Sequence, residues 1–151
     1  MKGELIYDFF SDDDFLRFSG KIKEMEKITA GEIRLSIKEG KRFFEKNRNI
    51  KDLAIREFYK LKMDKTRDHT GILIFLLLKE KQFFILADSG INEKVGQGTW
   101  DGVKDKMKEL FENGKFSDGI LYGIEKVGLL LGEHFPVKPD DTNELSNKVV
   151  L

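Results

Sequence analysis

The sequence contains no cysteine and only two histidines, His69 and His134. The lack of cysteine excludes disulfides, thiolate zinc sites, iron–sulfur clusters and cysteine nucleophiles. Neither sign of charge prevails, because 27 lysines and arginines balance 27 aspartates and glutamates. The surface as a whole therefore has no electrostatic attraction for nucleic acid or for anionic lipid, and we expect no nucleic-acid partner.

Long apolar segments are also absent. The N-terminus, 1–5, has no apolar region of the kind that signal peptides carry. The longest uninterrupted apolar run is 72–78, whereas a membrane-spanning helix needs about 20 residues. We therefore expect a cytoplasmic protein with no membrane span of its own.

The chain nevertheless has the material for a core, because 40% of its 151 residues are hydrophobic and 13 are phenylalanine. A chain of this length usually forms one domain. We assign that domain to 1–135. An extended tail, 136–151, follows it and holds both prolines and several polar residues.

Four segments repeat apolar residues at the three- and four-residue spacing of a helix. Residues that commonly cap or stop helices stand at their ends. The four predicted helices run from Ser11 to 29–31, from Asn49 to 65, from near Trp100 to 113–114, and from Ser117 to Pro136.

Three other segments have the patterns of strands. Apolar and polar residues alternate over 32–38, which indicates a strand with one wetter face at or near a sheet edge. Every residue of 72–78 is apolar, as in a central strand. The short polar segment 79–82 joins it to the apolar 83–87 and predicts an antiparallel hairpin. With the helices, this order predicts a three-layer α/β/α sandwich around a small mixed sheet.

The hairpin brings together residues that are far apart in sequence. Asp68 precedes its first strand and Asp88 follows its second, so both lie at the same edge of the sheet. Asp64 lies near the end of the helix that leads to this edge, and Asp101 lies in the first turn of the helix that leaves it. Such a carboxylate cluster favours a hard divalent cation, and calcium accepts six to eight oxygen ligands.

An alternative explains each carboxylate separately. Asp101 favourably opposes the dipole of its helix, and Asp88 begins a side-chain-stabilised turn. Asp64 and Asp68 are then solvated and paired with Lys65 or Arg67.

The segment 38–51 is locally basic, with six positive and two negative side chains. Such a segment is either a loop that faces a partner or a phosphate, or simply a solvated connector.

Several segments together resemble the TPM-domain family. They are 66–74, which contains Asp68, 84–91, which contains Asp88, the pair Trp100-Asp101, the turn 111–116, the segment 123–136 and the tail 141–145. The resemblance covers roughly 10–146 and implies the α/β/α sandwich.

The same resemblance implies an acidic pocket at this sheet edge, which binds calcium in some bacterial members. Asp68 and Asp101 match aspartates of the family pattern. Asn92 stands where the family usually has a glutamate, whereas Asp88 adds a carboxylate.

Three functions follow as hypotheses. The first is an accessory or protein-interaction module that binds calcium through Asp68, Asp88 and Asp101, with Asp64 as a further group. In this hypothesis its partner is an unidentified, membrane-associated protein, in a role such as envelope or membrane-protein maintenance. The second is a metal-dependent acid phosphatase, an activity that the resemblance to plant members implies. The third is a structural interaction domain whose pocket is empty. No catalytic residue is assigned.

Overall fold

The computed structural model describes residues 4–137 and 145–151. In these ranges the chain forms a three-stranded sheet in the order β1-β2-β3. The strands are β1, Glu32–Lys38, β2, Gly71–Leu77, and β3, Gln82–Ala87. β1 runs parallel to β2, and β3 runs antiparallel to it. The predicted hairpin and the mixed sheet are both confirmed.

The central strand β2 is buried on both of its faces. Ile72, Ile74 and Leu76 belong to the larger of two apolar cores, and the alternate residues belong to the smaller one. This division follows from the period of two in a strand, because successive side chains point to opposite faces. A continuous apolar run is therefore what a strand between two cores requires.

Helices cover both faces of the sheet. Those on the larger core include α2, Asp12–Met25, and α6, Phe116–His134, which contact each other, and α5, Asp101–Glu112, which also contacts α6. The smaller core is closed by α3, Ile50–Lys60. The three-layer sandwich that the sequence predicts is confirmed. The helices are α1, Glu4–Phe9, α2, Asp12–Met25, α3, Ile50–Lys60, α4, Ser89–Asn92, α5, Asp101–Glu112, and α6, Phe116–His134.

Three predicted helix boundaries are wrong. The first predicted helix stops at Met25 rather than at 29–31. The second predicted helix stops at Lys60 rather than at 65, because Lys62 adopts a left-handed backbone conformation (φ 58°) that an α-helix cannot include. A separate 3₁₀ turn, Met63–Lys65, follows it. Ser117 does not cap α6, which begins one residue earlier. Its side chain instead hydrogen-bonds to the Asp14 carboxyl. Partial burial acts to raise the pKa of Asp14, but the hydrogen bonds from Ser11, Arg17 and Ser117 together lower it.

The end of the chain returns to the sheet. Val150 lies beside β1, where the Ile37 N–H donates to the Val150 carbonyl oxygen at 2.8 Å. The Val150 N–H donates to the Leu35 carbonyl oxygen at 2.9 Å. The predicted tail 136–151 is thus extended at this point. Its segment 138–144, with most of the 141–145 motif, lies outside the described residues, and the division into domain and tail stays a prediction.

A buried carboxyl covers the remainder of this edge of β1. The Ile33 N–H donates to Glu26 Oε2 at 2.8 Å. Burial raises the pKa of Glu26 to about 8, with a further increase from neighbouring Glu32, although the Ile33 N–H and the charge of Arg34 act in the opposite direction. Together, Glu26 and Val150 leave little of the open strand edge unpaired, as edge strands commonly require.

No helix in the described ranges is both long enough and apolar enough to cross a membrane.

Candidate functional site

The candidate site begins where β2 starts and β3 ends. Ile72 is paired with Ala87, and the Asp88 N–H donates to the Gly71 carbonyl oxygen at 2.9 Å. The residues just before β2 and just after β3 are therefore neighbours, as the hairpin predicts.

The turn before β2 is held by Thr66. Its carbonyl oxygen accepts from the His69 N–H at 3.3 Å, and its Oγ1 accepts from the Thr70 N–H at 3.1 Å. His69 has a left-handed backbone conformation, with φ of 54°. These bonds give the turn a defined shape, and Asp68 lies within it.

Gly90 joins the two loops of the site. Its N–H donates to the His69 carbonyl oxygen at 2.9 Å. A Cβ atom at Gly90 would lie 2.5 Å from that same oxygen and closer still to the carbonyl oxygen of Asp68. The loops therefore approach backbone to backbone, at a distance that only glycine permits.

Asp88 has two different carboxylate oxygens. Oδ1 accepts a hydrogen bond from the Ser89 N–H at 2.7 Å and so caps α4. Oδ2 is buried without a hydrogen-bond partner in the described part of the chain, and it faces His69 Nδ1 at 3.6 Å. The side chain is only 13% exposed, so water compensates little of its charge. A buried carboxylate oxygen without a donor is costly, and a cation at this point would remove that cost.

The other predicted ligands have basic neighbours. Arg67 Nε lies 3.4 Å from the Asp68 carboxylate, and Lys65 Nζ lies 3.5 Å from that of Asp64. Asp101 is 65% exposed, and Lys104 Nζ lies 3.2 Å from it. The contacts of Asp64 and Asp68 are the ones that the separate explanation of each aspartate expects, and the Lys104 contact of Asp101 is additional.

Asp68 and Asp88 thus lie on adjoining loops. Asp64 and Asp101 do not join them in a ligand cluster, since residues 4–137 and 145–151 hold no group of three or more Asp, Glu or His side chains suited to a metal ion. The ligand set of four aspartates therefore stays a prediction.

A cavity of about 270 Å³ adjoins the two loops. The sequence interpretation missed two residues that line it, Glu93 on the segment after α4 and His134 at the end of α6. Glu93 follows Gly90 by three residues. This helical spacing is the signal that could have placed Glu93 on the same face of the segment as Gly90. The cavity residues are Ala30, Asp68, Thr70, Gly90, Glu93, Lys94, His134, Phe135 and Pro136.

Asn92 and Glu93 have different roles in this segment. The Asn92 side-chain amide donates to the Ala87 carbonyl oxygen at 2.9 Å, so it is used to hold the end of β3. Glu93 contributes a carboxylate to the cavity wall instead. The acidic character that Asn92 lacks is therefore supplied by the next residue.

The chain is similar to known proteins over most of its length. A family model described as the TPM domain matches residues 7–129. The NMR structure of the BA42 protein from the psychrophilic bacterium Bizionia argentinensis is 34% identical, has a TM-score of 0.85, and the match covers 94% of each chain.

The N-terminal domain of a protein from P. gingivalis has a TM-score of 0.70 and 13% identity, over 84% of this chain and 79% of that one. At this identity the likeness concerns the fold alone. No curated protein matches the chain.

Proposed function

Because the chain belongs to the TPM-domain family, we propose that it is a small accessory domain that binds a divalent cation, calcium, at the acidic end of its sheet. The single observation that carries this proposal is the buried Asp88 Oδ2, which lacks a hydrogen-bond donor among the described residues. A hard cation bound there would compensate the charge that the fold leaves in place.

The described residues hold no three carboxylates already placed around one metal ion, so we propose that Asp68 and Glu93 move toward Asp88 when the cation binds. Both line the cavity next to the two loops, and Asp68 belongs to the ordered turn that Gly90 contacts. Three carboxylates that each bind through one oxygen supply three of the six to eight oxygens that calcium takes, and backbone carbonyl groups and water commonly supply the rest. Asp64 and Asp101 would have to leave Lys65 and Lys104 to take part.

Calcium titration by calorimetry tests the proposal, with Asp88→Asn beside the unaltered protein. Asparagine still accepts the Ser89 N–H bond, so α4 keeps its cap while the charge is lost. We expect the unaltered protein to bind with a Kd below the millimolar range and Asp88→Asn to bind at least about tenfold more weakly.

The matched control is Asp105→Asn, which removes the same charge from an exposed position on α5. It is expected to bind calcium as the unaltered protein does. Absence of binding below the millimolar range, or an equal loss in Asp105→Asn, would reject the site.

A metal-dependent acid phosphatase is the second proposal. It is favoured by Lys94 and His134, which line the same cavity as Asp68 and Glu93 and so add cationic and proton-accepting groups to the acidic ones. Hydrolysis of an aryl phosphate, with and without EDTA, distinguishes the two functions. Activity that survives both EDTA and Asp88→Asn would contradict this second proposal.

The first proposal also includes a cytoplasmic location and an unidentified, membrane-associated protein partner. Both are expectations from the sequence. Purification of the tagged chain from its own cells, with and without calcium, tests for such a partner. Recovery of the same partner with Asp88→Asn would show that the partner binds independently of the cation site.

A further inference from the structure

The loop between β1 and α3 exposes two neighbouring phenylalanines at the other end of the sheet. Phe43 is 94% exposed and Phe44 is 65% exposed. We call residues 41–48 the basic–aromatic loop, since Lys41, Arg42, Lys46 and Arg48 flank the two rings. Single exposed apolar residues are common, but two adjacent phenyl rings in water are costly and indicate a contact surface.

The exposure of these rings is not a result of a loose chain. The Lys41 N–H donates to both carboxylate oxygens of Glu80, at 3.3 and 3.2 Å. The Arg42 N–H donates to Glu45 Oε1 at 2.9 Å, across the 3₁₀ turn Phe43–Glu45. The loop therefore holds the phenyl rings outward in a defined conformation, which lowers the entropic cost of binding.

The acidic and basic side chains of this region differ in whether they form ion pairs. Two acidic groups of this region are paired with cations outside the loop, since Glu45 lies 3.6 Å from Arg56 Nη1 and Glu57 lies 3.3 Å from Lys38 Nζ. No ion pair to Lys41, Arg42, Lys46 or Arg48 occurs within the ranges that the structure covers. These four cations are therefore left to a partner of opposite charge.

We propose that the basic–aromatic loop docks the protein on an anionic lipid bilayer. Phe43 and Phe44 would enter the boundary between headgroups and acyl chains, while the flanking cations contact lipid phosphates. Protruding rings with cations on both sides suit a soft interface, whereas a protein partner would need a matching acidic hollow. The net charge of the whole chain is zero, so the attraction is confined to this loop. The inference is independent of calcium binding.

Cosedimentation with lipid vesicles tests this proposal in the presence of EDTA, which removes any contribution of calcium. Vesicles of phosphatidylcholine are compared with an equal mixture of phosphatidylcholine and phosphatidylglycerol. We expect at least about tenfold tighter binding to the anionic vesicles, weakened by added salt. The double variant Phe43→Ser/Phe44→Ser is expected to lose at least about tenfold.

The matched control is Leu16→Ser, because Leu16 is 72% exposed and belongs to α2 rather than to the loop. It is expected to bind vesicles as the unaltered protein does. Equal binding to neutral and anionic vesicles, no binding to either, or an unchanged double variant would overturn the proposal. Binding to a DNA oligonucleotide without binding to vesicles would overturn it in favour of nucleic acid.

Discussion

Gly90 is the residue at which the two loops of the candidate site approach most closely. A Cβ atom there meets the carbonyl oxygens of Asp68 and His69, which are backbone atoms and have no rotamer to change. We expect Gly90→Ala to lower the free energy of unfolding by about 1–3 kcal/mol, since the loops must separate to admit the methyl group. Urea denaturation measures this loss.

Gly102→Ala is the control for this prediction. Gly102 lies in α5, and an added Cβ there meets nothing within 4 Å. Alanine is the better helix former, so we expect this variant to gain up to about 1 kcal/mol. Equal effects of the two substitutions would show that the close approach at Gly90 does not exist in solution.

At the scale of elements, the pairing of the chain end with β1 depends on two backbone hydrogen bonds of Val150. Proline at this position has no N–H to donate to Leu35, so we expect Val150→Pro to release the segment 145–151 from the sheet. The Ile37 amide, which donates to the Val150 carbonyl, should then exchange its hydrogen at least about tenfold faster.

Val150→Ala keeps the backbone donor and removes only the side chain. It is therefore expected to leave the Ile37 amide protected. Hydrogen exchange followed by NMR distinguishes the two variants. If Ile37 is equally protected in Val150→Pro, the chain end does not contribute to the edge of β1.

The regular elements were predictable because each has its own local signal. The continuous apolar run of β2 and the capping residue Ser11 at the start of α2 are read directly from the sequence. α1 and α4 were missed, since six and four residues are too short to display a helical period. The left-handed Lys62 that ends α3 early has no distinctive sequence signal.

The candidate site was predictable only in part. Hairpin pairing alone determines that Asp68 and Asp88 lie on adjoining loops, because an antiparallel connection returns the chain to the same edge. The position of Asp101 depends on the path of 89–100, which includes α4 and the 3₁₀ turn Gln97–Trp100. That path is fixed by tertiary contacts rather than by local sequence, and the sequence interpretation therefore grouped Asp101 with the others.

For the molecule as a whole, Glu26 makes the stability depend on pH. Its pKa is raised from an ordinary value of 4.5 to about 8 by burial and by Glu32. Between these two values the folded chain holds a proton that the unfolded chain has released. The contribution of Glu26 to stability is therefore complete below 4.5 and is lost as the pH rises through about 8.

The substitution Glu26→Gln tests this linkage, because glutamine still accepts the Ile33 N–H but does not ionise. We expect the free energy of unfolding of the unaltered protein to fall between about pH 5 and pH 8 by at least about 1 kcal/mol more than that of the variant. Urea denaturation at the two pH values measures the difference. Glu24→Gln, on the exposed side of α2, serves as the control, and an equal pH dependence in all three proteins would contradict the assignment to Glu26.

The strand β2 separates the cavity of Asp68 from the basic–aromatic loop by its full length. Its seven residues span roughly 20 Å, which exceeds the screening length of about 8 Å at physiological ionic strength. A molecule resting on a bilayer by its loop would hold its carboxylates outside the layer of counterions that gathers above negative lipids. Those carboxylates would then respond to the free calcium of the surrounding fluid rather than to the enriched layer at the bilayer.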